Sequence, residues 1–182
     1  MNFPRTVLGF HGCSKARAEA LLSGRMPLSA WPVSKNRWEW LGEAIYFWEH
    51  APDRALRWAE ERVKGTKDKP AVVGAIIMLS GDDVLDLTDV RFGRALRDTH
   101  RELEDLYEAA GRILPENKDK FRDLDCLVIN TLCEANPGLY SVVRAAFEEG
   151  SPIFPGSRLH EQTHIQLAVR DAKAIMGIFR PV

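Results

Sequence analysis

The feature that most constrains the fold is the run Ala71-Val72-Val73-Gly74-Ala75-Ile76-Ile77-Met78-Leu79, which contains no polar side chain. A run without alternation does not describe a half-buried strand, and this one falls far short of the roughly 18 residues that a membrane helix needs. It predicts a central strand covered on both faces, and such a strand requires neighbours in its sheet and layers above and below. The neighbours are legible. Thr6 to Phe10 and Ala44 to Trp48 are short apolar strands, and Leu85-Asp86-Leu87 extends the sheet after a turn at Gly81-Asp82-Asp83. Thr163 to Arg170 alternates as a strand, and Ala174 to Phe179 reads as another. Tyr140 to Glu148 is open between strand and helix, with Val142 and Val143 leaning one way and Ala145 and Ala146 the other. Four helices supply the layers. Ser14 caps a short one that Gly24 ends, and Pro52 opens a second, Asp53 to Val63, whose Ala55, Leu56, Ala59 and Val63 share a face. Phe92 to Ile113 and Leu124 to Ala135 are the third and fourth, the last closed by Asn136-Pro137-Gly138. Pro27 to Trp40 lacks periodicity and reads as a loop folded over something. One α+β domain spanning 1–182 accommodates all of this.

Charge and cysteine narrow the environment. Twenty-five Lys and Arg oppose 26 Asp and Glu, a net charge of -1. The chain therefore has no overall attraction to a polyanion, and contact with nucleic acid would fall to a local patch. Cys13, Cys126 and Cys133 lack metal-ligand spacing, and an odd count argues against a disulfide framework, so a reducing compartment is expected. His160 and His164 suit a metal only on a helix, and that stretch reads as strand. Met1 to Arg5 has no apolar core of a leader, and no apolar run is long enough to span a membrane; a cytoplasmic protein with no membrane partner is the expectation.

Two segments carry chemistry: Gly9-Phe10-His11-Gly12-Cys13-Ser14, and Leu41-Gly42-Glu43-Ala44-Ile45-Tyr46-Phe47. Between them lies the helical Ala18-Glu19-Ala20-Leu21-Leu22-Ser23-Gly24. A strand-end histidine can hydrogen-bond a hydroxyl, a neighbouring glycine leaves the backbone amide bare, and an aromatic on a nearby strand offers a stacking face. Cys13, near His11, is not read as a nucleophile.

The order of strand, His-Gly, Gly-capped helix, loop and Gly-x-x-Ile-Tyr-Phe resembles the nicotinamide-binding half of the ADP-ribosyltransferase fold. The branch is the His-Tyr-Glu one of diphtheria toxin and the poly(ADP-ribose) polymerases. Ala44 stands where that branch has a second glycine. The resemblance covers roughly residues 6–60 and 160–180 and implies a split two-sheet α+β core with flanking helices, residues about 90–135 being a helical insertion. It implies NAD as substrate, with His11 on the ribose, the Gly12 backbone on the carboxamide, and Tyr46 and Trp58 on the two faces of the nicotinamide. Ser14 would lie towards the pyrophosphate or adenosine. The branch's catalytic glutamate maps onto Gln166 in Gln166-Leu167-Ala168-Val169-Arg170-Asp171; Glu161, and further off Glu149, are the carboxylates that could stand in for it. A Gln amide can orient a ribose hydroxyl but offers neither negative charge nor a base. The activity implied is transfer of ADP-ribose from NAD to a macromolecular acceptor, protein or nucleic acid, in a bacterial toxin or defence enzyme with a possible antitoxin partner. Two alternatives stay open: an inactive NAD-binding or interaction module, and an RNA 2′-phosphotransferase-like enzyme on the same fold. The latter would need several arginines converging on a phosphate. The loop Gly150 to Gln162 is read as facing the acceptor.

Overall fold

A computed structural model describes residues 4–182. Its centre is a seven-stranded sheet in the order β4-β7-β8-β2-β1-β3-β9. The strands are β1 (Arg5–Ser14), β2 (Ile45–Glu49), β3 (Pro70–Leu79), β4 (Val84–Asp86), β7 (Val142–Phe147), β8 (His164–Val169) and β9 (Ile175–Phe179). A separate ribbon pairs β5 (Asn117–Lys118) with β6 (Phe121–Arg122). Among the described residues of the large sheet, β4 and β7 run parallel and the other neighbours antiparallel. Four helices flank it: α1 (Lys15–Leu22), α2 (Pro52–Val63), α3 (Phe92–Ala109) and α4 (Asp123–Ala135).

The apolar run is β3, and β1 pairs with it along its whole length, from Arg5↔Leu79 to Ser14↔Pro70. The other edge of β1 behaves differently. Its pairing with β2 stops after Gly9↔Glu49 and Phe10↔Trp48, while β2 continues along β8 from Trp48↔Gln166 to Ile45↔Val169. The sheet is therefore two halves, β9-β3-β1 and β2-β8-β7-β4, held together by a narrow strip and splaying apart beyond Phe10. The two separate sheets expected from the resemblance are here one continuous sheet with a seam. Among the described residues the mixed α+β class holds; likeness to a particular fold family is a separate matter.

Each face is closed by helices, and strand alternation decides which residue meets which layer. On one face Val7, Cys13, Phe47, Val73, Ile77, Leu167 and Val169 form a core with Ala18 and Leu21 of α1 and with Trp31. The opposite face is covered in two places. Phe10 and Trp48 pack with Ala55 and Trp58 of α2, and Tyr46, Val143, Ala145 and Ala168 pack with Ile129, Leu132 and Cys133 of α4. Within the region 90–135, α4 packs directly on the sheet. It builds one of the two layers on that face, and the uncovered strip between α2 and α4 lies over the seam.

β7, which sequence leaves open, is a strand because its alternation suits both layers: Val143 and Ala145 face α4 while Val142 and Arg144 face the other way. Arg144 is 9% exposed and fully engaged. Its Nε and Nη2 donate to Glu49 at 2.6 and 3.2 Å, and its Nη1 donates to both Asp86 oxygens at 3.2 and 3.1 Å and to Thr88 Oγ1 at 3.1 Å. Two largely buried carboxylates beside one guanidinium stitch β4, β7 and β2 together. The α3 helix ends at Ala109 rather than running on to Ile113, because Gly111 turns left-handed at φ 62°.

Candidate functional site

A cleft of about 810 Å³ opens at the seam, between α2, the 32–40 segment and the ends of β1, β2 and β8. Its walls include His11, Gly12, Ser14, Tyr46, Trp58 and Gln166, so the fold brings together residues that the sequence spaces over 155 positions. Glu161 is not among them. It lies exposed in the loop after β7, its backbone N–H donating to Ser151 O at 3.0 Å. The carboxylate that does line the cleft beside Gln166 is Glu149.

His11 sits where β1 and β2 part. Its Nδ1 lies 2.8 Å from Tyr46 O, and a carbonyl only accepts, so Nδ1 carries the proton. Burial, opposed in part by that bond and assisted by nearby Arg17, lowers its pKa to about 4. The ring is neutral at physiological pH, which leaves Nε2 a lone-pair acceptor, buried and without a partner among the described residues. The edge of the ring meets Trp31 at 5.0 Å and 89°, fixing its plane. The side chain thus replaces the missing β1–β2 ladder bond and offers one acceptor, suited to a hydroxyl donor.

Gly12 is required for a different reason than sequence suggests. A Cβ there would stand 2.0 Å from Ala55 O and 3.2 Å from Ala59 N. The bare Cα is what lets α2 lie against β1, aided by Ala55 and Ala59, both fully buried. Its backbone is nevertheless available. Leu8 O accepts from His50 N towards β2, and by strand alternation the Gly12 N–H and C=O point to the same side, past the last register pair and into the cleft. Ser14 caps α1, accepting from Arg17 N at 3.3 Å. Cys13 is buried and its thiol is pushed up to about 11 by desolvation, which makes it inert.

Tyr46 belongs mostly to the core rather than offering a free stacking face. It is 8% exposed and packs under α4. Its hydroxyl donates to Gly42 O at 2.6 Å and accepts from Leu41 N at 3.0 Å. Gly42 adopts φ 82°, and a Cβ there would collide with Asn130 Oδ1 at 2.3 Å. Asn130 Oδ1 in turn accepts from Glu43 N and from Arg170 Nη1. Tyr46 and Asn130 therefore pin the turn from which the 32–40 segment reaches back over the cleft. The stacking surfaces are tryptophans. Trp38, Trp40, Trp48 and Trp58, four of the five in the chain, line the cleft. Trp48 and Trp58 lie 5.8 Å apart at 54°, and the Arg62 guanidinium rests 5.4 Å from Trp38 and 6.0 Å from Trp58.

The far end holds Gln166, Glu149, Arg54 and His164. Arg54 Nη2 donates to Glu149 Oε2 in a close ion pair, and His164 Nδ1 lies 3.7 Å from the same oxygen. That nitrogen donates to Gln162 O at 2.7 Å, and desolvation, with Arg54 nearby, keeps the imidazole below its ordinary pKa. His164 and Gln166 share the face of β8 that looks into the cleft. Arg54, Trp58 and Arg62, at i, i+4 and i+8, form the stripe of α2 adjacent to its Ala55 and Ala59 seam; that spacing was the signal for Arg54. Four of the seven buried side-chain nitrogens without a partner among the described residues belong to cleft residues: His11 Nε2, Trp38 Nε1, Trp48 Nε1 and Arg54 Nε. Three of them are donors. No group of His, Cys, Asp or Glu among the described residues is arranged to hold a metal, and no described helix is long and apolar enough to cross a membrane.

Family models, curated proteins and solved structures were each compared with the chain, and none matches it.

Proposed function

We propose that the seam cleft binds NAD and that the protein transfers ADP-ribose from it to a macromolecular acceptor. The observation that carries this reading is the combination at one break in a sheet. A neutral histidine presents a lone acceptor, a strand edge presents an unpaired glycine amide and carbonyl, tryptophan faces lie close by, and buried N–H donors lack acceptors. A dinucleotide offers the complement: ribose hydroxyls for His11 Nε2, a carboxamide for the Gly12 backbone, an aromatic ring for Trp58, and pyrophosphate oxygens for Arg17 and the indole N–H groups.

Breaking the nicotinamide glycosidic bond develops positive charge on the ribose. Gln166 can hold the 2′-hydroxyl through its amide oxygen, and the negative charge that an amide lacks comes from Glu149, which Arg54 orients. The site is thus complete without a glutamate at position 166, which favours an active enzyme over an inert module. The cleft arginines come from different places and have different partners: Arg17 is on α1, while Arg54 and Arg62 are two turns apart on α2, beside Glu149 and Trp38, which suits an extended ligand more than a single phosphate.

The test is nicotinamide release from NAD by the parent and by Glu149→Gln and Gln166→Ala. Release cut at least tenfold in both variants, about 1.4 kcal/mol of transition-state stabilisation, is expected. Release unaffected by Glu149→Gln removes the carboxylate from the chemistry.

A further inference from the structure

One surface next to the cleft is left unexplained by NAD. From the Glu149 end, aromatic rings and cations alternate outward. The Phe147 ring lies 5.9 Å from His164 and 4.7 Å from Trp40, meeting Trp40 at 66°, so its edge props the indole upright. Trp40 Nε1 donates to Lys120 O at 3.1 Å, tying it to the β5–β6 ribbon. From that ribbon the Arg122 guanidinium lies 5.3 Å over Trp40, and Lys120 Nζ lies 5.7 Å over Phe121. Among the described residues neither Lys120 nor Arg122 has a carboxylate within 4.0 Å, whereas neighbouring Arg37 is neutralised by Asp123 at 2.6 Å. Trp40 and Lys120 also line the cleft, so the surface and the reaction centre are continuous.

Half-exposed flat rings alternating with uncompensated cations are what a strand of unpaired bases recognises: each base stacks on a ring or a guanidinium plane, and the phosphates between them meet the cations. A duplex hides its base faces and has no use for such rings. Resting on the reading of the cleft as an NAD site, we infer that this rim binds single-stranded nucleic acid and that the strand is the acceptor. In the transfer the C1′–N bond breaks with its electron pair passing to the nicotinamide ring nitrogen, whose positive charge is cancelled. A nitrogen of the presented base forms the new bond to C1′, and the proton that this nitrogen gives up passes to Glu149. The chain's net charge of -1 is consistent with a patch that acts locally.

The experiment has two arms. In the first, fluorescence anisotropy follows binding of a short fluorescein-labelled single-stranded DNA, its RNA counterpart and the corresponding duplex, without NAD and over a range of NaCl. The single strands are expected to bind in preference to the duplex, with a slope of log affinity against log salt of about -1.4 for two phosphate contacts. Trp40→Leu should weaken strand binding about tenfold through lost stacking. Arg122→Gln should weaken it and flatten the salt slope while leaving NAD hydrolysis intact, since Arg122 is outside the cleft. In the second arm, NAD labelled in its adenylate phosphate is incubated with the protein, the single strand and a cell lysate, then digested separately with protease and nuclease. Label released by nuclease supports the proposal; label released by protease identifies a protein acceptor and overturns it. Equal or tighter duplex binding, or strand binding indifferent to both variants, also overturns it. Loss of strand binding in a parent that still hydrolyses NAD condemns the rim alone, whereas strand binding by a parent that neither binds nor hydrolyses NAD condemns the cleft reading.

Discussion

Acidification should destabilise the fold through His11, by an amount that its environment sets. Its pKa falls from an ordinary 6.5 to about 4 because the ring is desolvated at the seam. Between those values the unfolded chain holds a proton that the folded chain does not, so stability rises with pH across the window. The contribution is intact above pH 6.5, declines as pH falls, and is exhausted near pH 4. A depression of that size corresponds to about 3 kcal/mol in total and to a slope of up to about 1.4 kcal/mol per pH unit. His164 is also held low and titrates in the same direction, so the parent's slope alone does not isolate His11. The informative quantity is a difference. Urea unfolding of the parent and of His11→Leu, at half-unit steps from pH 7 to pH 4, should give curves that converge as pH falls. The variant loses the bond to Tyr46 O at every pH, and it loses the acid sensitivity of one histidine only within the window. Curves that stay parallel throughout would refute a neutral, proton-excluding ring at position 11.

Other expectations follow from single contacts. Gly12→Ala places a methyl 2.0 Å from Ala55 O, so α2 must shift; a loss of about 3 kcal/mol in denaturant unfolding is expected, with altered near-UV dichroism from Trp48 and Trp58. Arg144→Met leaves Glu49 without its guanidinium partner and Asp86 with only the exposed Arg5 among the described residues, and should cost about 3 kcal/mol in denaturant unfolding at neutral pH. Tyr46→Phe removes the two hydrogen bonds that hold Leu41 and Gly42, at a cost of about 1–3 kcal/mol, and should raise hydrogen exchange in the 32–43 segment.

How far the sequence disclosed this molecule differs from one element to the next. β3 was legible because a continuous apolar run has few other uses, and α2 because Pro52 and an Ala-rich stripe mark its start and its buried side. β7 was not, since Val142-Val143-Arg144-Ala145-Ala146 has no clean period until Glu49 and Asp86 explain why an arginine faces inward. The length of α3 was overread because helical composition continued past Gly111, whose backbone does not. His11, Gly12, Ser14, Tyr46, Trp58 and Gln166, singled out in the sequence, line one cleft; the packing reason for Gly12 is not legible there, because it depends on where α2 docks. That the Tyr46 ring is mostly buried is not legible for a related reason: strand alternation places it towards a strand face but does not say that α4 covers that face. Arg54 and Glu149 meet across 95 residues, and only the folded seam sets them side by side. Glu161, nearer to Gln166 in sequence, stays in the loop outside.

The most direct measurement is titration calorimetry of NAD into the parent protein, repeated on His11→Leu and Trp58→Ala. The account predicts one-to-one binding in the parent, weakened about tenfold in each variant through loss of the ribose acceptor or of the stacking face. Absence of binding at millimolar NAD, or binding equally tight in both variants, contradicts the assignment of the seam cleft as a dinucleotide site.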